Sequence, residues 1–393
     1  MIGAVGNERH EQVVIAMAST RKRKWTNKKG KEQTVWVADY FDQDGKRHIK
    51  TFPREKDAEA WLITAQGEVQ RGVHTPEHAS ITVAEAAGLW LQKGELEKLE
   101  RSTLRQYGNH VRLHINPLIG GEKLARLSSP MVESFRDALM RKGTRVMARK
   151  VLASLKSILG EAQRRGLVAQ NAAAPVKVAA NKREQGKLTV GRDIPSKEEM
   201  QTILAKAEGR WRPLFATAVF TGMRSSELRG LAWDDVDFER KVIHVRQRAD
   251  AWGEMGAPKS HAGDREIPMS PMVINALREW RLACPKGSLN LVFPNGNGRV
   301  ENHANIANRG FYALQRASGI VDGEGGAKYG LHALRHFCAS WLIEQGFSPK
   351  RLQALLGHSS IQMTFDRYGH LFPSTEDDHA KFAAGELALV GAS

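Results

Sequence analysis

The chain has 393 residues, 41% hydrophobic and 26% charged, which suits a multidomain globular protein and excludes one disordered throughout. No apolar run reaches the ~18–20 residues of a membrane helix, and the two cysteines, Cys284 and Cys338, exclude a disulfide scaffold and fit reducing, cytoplasmic conditions. A net charge of +16 calls for an anionic partner, nucleic acid first, and residues 76–190 carry most of it, with 20 Lys and Arg against 10 Asp and Glu.

In chain order, residues 1–19 read as a disordered lead, without the positive start or long apolar stretch of a signal peptide. The run RKRKWTNKKGK at 21–31 is dense in cations, with Arg21, Lys22, Arg23, Lys24, Lys28 and Lys29 as candidate DNA contacts. TVWVADYF is strand-like, Asp42 to Gly45 is a turn, and Lys46–Phe52 is a second strand. A helix is expected from about Arg54 to Val69. Together these make a small basic module over 20–72, two or three strands and a helix, suited to lie against DNA.

Residues 82–173 read as all-helical. Thr82 and Ser102 are expected caps, Ser129-Pro130 opens a third helix, and a fourth runs from Thr144 to Arg165. Its stripe Val151, Leu152, Leu155, Ile158 and Leu159 recurs at helical spacing and is core. Arg141, Lys142, Arg145, Arg149, Lys150, Lys156, Arg164 and Arg165 surround one acid, Glu161, too one-signed for an ordinary solvated face. Residues 174–193 form a basic linker, and Ser196 with Glu199 is a capping box opening the last domain, 194–393. That domain is mostly helical, with strands at Val242–Gln247 and Arg265–Met269 and helix starts at Pro213, Ser270, His303 and Ser348. The fold class is mainly α and multidomain, with a small sheet-plus-helix module first and a small antiparallel insert in the last domain.

Several chemistries are set aside. No GxxxxGK[ST] loop is present. His332 and His336 have the spacing of a zinc helix, but Ala333 replaces the needed glutamate and Arg335 adds a cation. No metal or cofactor is expected. Four segments remain: TGMRSSELRGL at 221–231, PKSHAGDREIPM at 258–269, HALRHF at 332–337 and LLGHSSIQMTFDRYGH at 355–370.

Together the four resemble the tyrosine recombinase (phage integrase) family, whose signature runs Arg, Lys, His-x-x-Arg, His or Trp, Tyr. Arg224, Lys259, His332, Arg335, His358 and Tyr368 stand in that order. The resemblance extends to a helical core-binding domain at 82–173 and, more weakly, to the arm-binding module of lambda-type integrases at 20–72. It implies a site-specific recombinase that cuts and rejoins DNA through a 3′-phosphotyrosyl link, without ATP or metal. Tyr368 is then the nucleophile, Arg224 and Arg335 the phosphate ligands, His358 a further donor, His332 the proton handler and Lys259 the acid on the departing 5′-oxygen. Glu227 is expected to orient Arg224 or cap its helix, and His336 to support rather than react. The resemblance also implies a homotetramer on DNA, an excision factor and a host DNA-bending protein as partners, and a place at the bacterial nucleoid. The segment 377–389 reads as a short helix that docks on a neighbouring subunit or packs on its own. The rival readings are a type IB topoisomerase and an inactive architectural DNA-binding protein.

Overall fold

The computed structural model describes residues 18–26, 31–43, 45–179, 187–372 and 378–391. Most of the expected lead, Lys28, Lys29 and linker residues 180–186 lie outside the described residues. The chain forms two compact units, Met1–Ala180 and Asn181–Ser393.

The first unit opens with an antiparallel sheet of β1 (Ser19–Thr26), β2 (Glu32–Phe41) and β3 (Arg47–Phe52), packed under α1 (Glu55–Gln70). The first part of the basic run, through Thr26, is itself a strand, which its sequence conceals. Cations occupy both faces of β1, so no apolar alternation marks it, and it is held by backbone pairing to β2 from Ser19↔Asp39 to Thr26↔Glu32. Ala38, Tyr40 and Leu62 form the small core beneath the sheet, with Trp61 and Phe52 packed on it.

The helices that follow are α2 (Val83–Leu96), α3 (Arg101–His110), α4 (Asn116–Ile119), α5 (Ser129–Lys142) and α6 (Arg145–Arg164). A π-helical turn, Val111–Ile115, fuses α3 to α4. Thr82 and Glu85 close a reciprocal capping box on α2, and Thr144 caps α6. The expected cap at Ser102 is replaced by Glu100, one residue before the helix begins, so Ser102 lies inside the first turn. Ser129 is likewise the first residue of α5, after Ser128, and its hydroxyl donates instead to the Ala172 carbonyl at 3.0 Å. The α6 stripe is buried as its spacing requires. Each such Leu or Ile contributes roughly 1.5–3 kcal/mol of apolar transfer. The first linker residues also join this core, because Val176 is buried and Val178 packs against it.

The second unit begins with α7 (Lys197–Lys206), α8 (Trp211–Thr221) and α9 (Ser225–Gly230). Helix α8 starts two residues before Pro213, whose missing N–H falls in the first turn, where no helical acceptor exists. Strands β4 (Val236–Asp237), β5 (Val242–Val245) and β8 (Arg265–Pro268) make a sheet in the order β4-β5-β8. β6 (Arg248–Ala249) and β7 (Met255–Gly256) form a separate hairpin. Then come α10 (Pro271–Ala283), α11 (His303–Asn305), α12 (Tyr312–Ala317), α13 (Ala333–Glu344), α14 (Pro349–Leu356), α15 (Ile361–Tyr368) and α16 (Asp378–Val390). Helix α13 packs against α8 and α14, and Cys338, Ala339 and Leu356 are buried among them. The end of α8, the start of α13 and the end of α14 thereby meet.

Candidate active site

The meeting point is built on two glycines. Gly222 ends α8 at φ +61°, and a Cβ there would stand 2.8 Å from Leu356 Cδ2 and 3.1 Å from Cys338 Sγ. Gly357 ends α14 at φ +65°, where a Cβ would stand 2.8 Å from the Ala262 carbonyl. A larger residue at either position would strain the backbone and part the helices.

A helix end leaves its last carbonyls without intrahelical donors. At the end of α14, three successive carbonyls each take a different guanidinium. Arg265 Nε donates to Leu355 at 2.7 Å, Arg335 Nη2 to Leu356 at 2.6 Å, and Arg224 Nη2 to Gly357 at 2.8 Å. Arg335 also donates Nη1 to the Gly222 carbonyl at 2.7 Å, so it ties both glycine turns together. Burial, with Arg224 nearby, lowers its pKa to about 10, which still leaves it cationic at neutral pH.

Arg224 is the residue before α9, and Glu227 in the first turn answers it twice. The carboxylate accepts from Arg224 Nη1 at 2.7 Å and from its backbone N–H at 2.9 Å. Burial would raise the Glu227 pKa, but Arg265 and Arg224 outweigh it and hold the carboxyl below its ordinary range.

His358 follows Gly357 and is buried. Its Nδ1 pairs with the Thr364 hydroxyl at 2.9 Å, which leaves Nε2 for another partner. Tyr368 closes α15. Its ring lies nearly parallel to His358, 8° apart with centroids at 6.2 Å, and only 1% of the residue is exposed. Its hydroxyl is 2.8 Å from His336 Nδ1. Burial pushes the phenol up to about 12, against the lowering pull of Arg335 and Arg367.

His332 opens α13, and its ring meets His336 edge-on at 4.7 Å. His332 opens to solvent while His336 is half-buried. Both fall to about 4: packing strips part of the water from each ring, His332 adds repulsion at His336, and Arg335 and Arg367 add more at both. His358 also falls to about 4, by burial and then Arg335 and Arg224. All three imidazoles are therefore neutral at pH 7 and can accept a proton. Lys259 is exposed on the loop between β7 and β8. The turn that follows it, through Ala262, reaches Gly357.

Five of the six motif residues therefore gather around the α8, α13 and α14 ends, and Lys259 stands on the adjoining loop. Sequence reasoning missed Arg265. Its side chain is 6% exposed and bidentate to Glu227, yet a lone arginine opening a strand carries no signal of that.

The candidate DNA contacts belong to the first unit. Arg21, Lys22, Arg23 and Lys24 lie on β1, where Arg21 faces Asp39 at 3.7 Å and Lys24 faces Glu32 at 3.4 Å. Lys22 stands over the Trp36 ring at 5.9 Å. Arg141, Lys142, Arg149 and Lys150 are exposed, while Arg145 donates to the Ala179 carbonyl at 3.2 Å. The far end of α6 is different. Glu161 gathers Lys93, Arg164 and Arg165, which hold its carboxyl down at about 2, so those cations are already engaged.

Forked donors around a buried tyrosine, in a mainly helical domain with a small sheet, suit phosphoryl transfer on a polyanion. Residues 196–375 match the model of the phage integrase family. The chain is 28% identical over 376 residues to a tyrosine recombinase XerC-like protein of Caldanaerobacter subterraneus subsp. tengcongensis, covering 88% of this chain and 94% of that one. Its fold is similar to the Tn1549 transposon integrase in complex with a circular intermediate DNA, at TM-score 0.64 and 21% identity, covering 78% of this chain and 100% of that one. It is also similar to a lambda integrase from a tetramer bound to a Holliday junction, at TM-score 0.58 and 19% identity, covering 86% and 95%. Residues 196–375 carry the phage integrase family domain, and the chain is a site-specific recombinase. The topoisomerase and architectural readings are not favoured by these relatives.

Proposed function

We propose that the chain integrates and excises a phage or other mobile element by cutting and rejoining DNA strands through Tyr368. The observation that carries this is the convergence of Arg224 and Arg335 on one turn, beside His358 and the stacked Tyr368. Two guanidiniums stay charged, and the N–H donors they do not spend on Glu227 and the carbonyls meet the non-bridging oxygens of a scissile phosphate, where charge grows in the transition state. His358, with Nδ1 accepting from Thr364, donates Nε2–H to the same phosphate.

The Tyr368 oxygen attacks phosphorus, the bond to the 5′-oxygen breaks, and a 3′-phosphotyrosyl link forms. The phenol proton leaves through neutral His336, with His332 at its edge, and Lys259 protonates the departing 5′-oxygen. A 5′-hydroxyl from the partner duplex then reverses the step, so the exchange conserves bond energy and needs no ATP. Burial holds the phenol at about 12, so proton removal by His336 has to accompany the attack.

The basic strand β1 serves arm-type sites, and the exposed cations of α5 and α6 grip the core site. Four strands are exchanged, which requires a tetramer. Helix α16 exposes Phe382, Leu387, Leu389 and Val390, apolar area for a neighbouring protomer to cover. An excision factor and a host DNA-bending protein would set direction. The test is a nicked suicide duplex carrying the element's own ends. Wild type should trap a covalent adduct with a free 5′-hydroxyl, and Tyr368→Phe should bind the duplex equally and trap none. An adduct retained by Tyr368→Phe would sink the proposal.

A further inference from the structure

Arg265 is the most connected of the three guanidiniums at the α14 end. Beyond Leu355, its Nη1 donates to the Gly263 carbonyl at 2.9 Å. Nη1 and Nη2 face the two oxygens of Glu227 at 3.3 and 2.9 Å. The buried Glu227 carboxylate is thus shared between Arg265 and Arg224. Sharing decides the charge of the site. One carboxylate paired with Arg224 alone cancels most of what that guanidinium can offer a phosphate, and the low dielectric of the interior sharpens the cancellation. Two guanidiniums against one carboxylate leave a full positive charge.

We propose that Arg265 is a positioning residue of the recombination site: it neutralises Glu227 so that Arg224 keeps its charge for the scissile phosphate, and it clamps the Lys259 loop to the His358 turn. The clamp is the pair of carbonyl bonds, Gly263 on the turn after Lys259 and Leu355 just before His358. The proposal rests on the reading of Arg224 as a phosphate ligand.

The experiment is single-turnover cleavage of the suicide duplex by the full chain, with duplex affinity and thermal midpoint measured in parallel. Arg265→Met should slow cleavage by about 100-fold, as the loss of one preorganised donor does, with affinity within about threefold of wild type. Adding Glu227→Gln should then restore about tenfold, because a neutral amide no longer cancels Arg224. A purely structural Arg265 predicts the opposite, since a second lesion in a buried network deepens the damage. The double variant leaves no buried carboxylate without its cation, so it keeps the comparison readable where Arg265→Met alone is too unstable. Arg265→Met cleaving at the wild-type rate, or a folded double variant slower than Arg265→Met or more than about 100-fold below wild type, overturns the proposal. Absence of any wild-type adduct would instead strike the reading of the site itself.

Discussion

The hydroxyl of Tyr368 is held at 2.8 Å by Nδ1 of His336, a residue one helical turn beyond His332 on α13. This pairing puts the side chain expected only to support the site in contact with the proposed nucleophile. At a pKa of about 4 the ring is neutral at pH 7, so it accepts the phenol's hydrogen bond and can take its proton. His336→Ala should therefore slow suicide-substrate cleavage by about 100-fold, the lower range for a general base, and leave duplex affinity unchanged. Cleavage at the wild-type rate would return the proton to His332 alone.

The same depressed histidines set a pH dependence of stability. His332, His336 and His358 fall from 6.5 to about 4, so between those values the unfolded chain binds protons that the folded chain refuses. Their contribution to stability is whole above pH 6.5 and is lost progressively as pH falls towards 4. Carboxylates held low, Glu161 above all, lose theirs only below about pH 4.5, so the two windows separate. The thermal midpoint should decline from pH 6.5 to 4.5, and His358→Asn should flatten that decline. A wild-type midpoint constant across this window would refute the assignment.

How much of this was legible in the sequence depends on what each residue's partners are. Arg224, His332, Arg335, His358 and Tyr368 could be named because their order and flanking words are local. Arg265 could not, because its partners are Glu227, 38 residues earlier, and a carbonyl 90 residues later. Strand β1 was hidden because propensity reads side chains, whereas β2 pairs with its backbone. The caps at Ser102 and Ser129 erred by one or two residues because a serine inside the first turn looks the same in sequence as one just before it. The π turn at Val111–Ile115 carries no breaker residue to mark it.

Lys259 sits on an exposed loop, and its proposed task as acid is separable from the phosphate grip. If it protonates the leaving 5′-oxygen, then a leaving group that needs no proton makes it dispensable. Lys259→Ala should cut an ordinary duplex about 100- to 1,000-fold more slowly. On a duplex with sulfur at the bridging 5′ position, whose thiol has a pKa near 8.5, it should approach wild type within about tenfold. An equal deficit on both substrates would remove Lys259 from the acid role.

The basic strand gives a contrast between neighbours on one face. Arg21 and Arg23 alternate onto the same side of β1, but Asp39 stands 3.7 Å from Arg21 and also takes Arg47. Among the described residues Arg23 has no acidic partner. A cation already paired releases fewer counterions on reaching a phosphate, because part of its charge is spent inside the protein. For the full chain on arm-type DNA, Arg23→Ala should reduce the slope of log affinity against log salt by about 1. Arg21→Ala should reduce it by clearly less, since it also frees Asp39 to pair more fully with Arg47. Equal slopes for the two variants, or no change in either, would mean that this face of β1 does not meet the backbone of DNA.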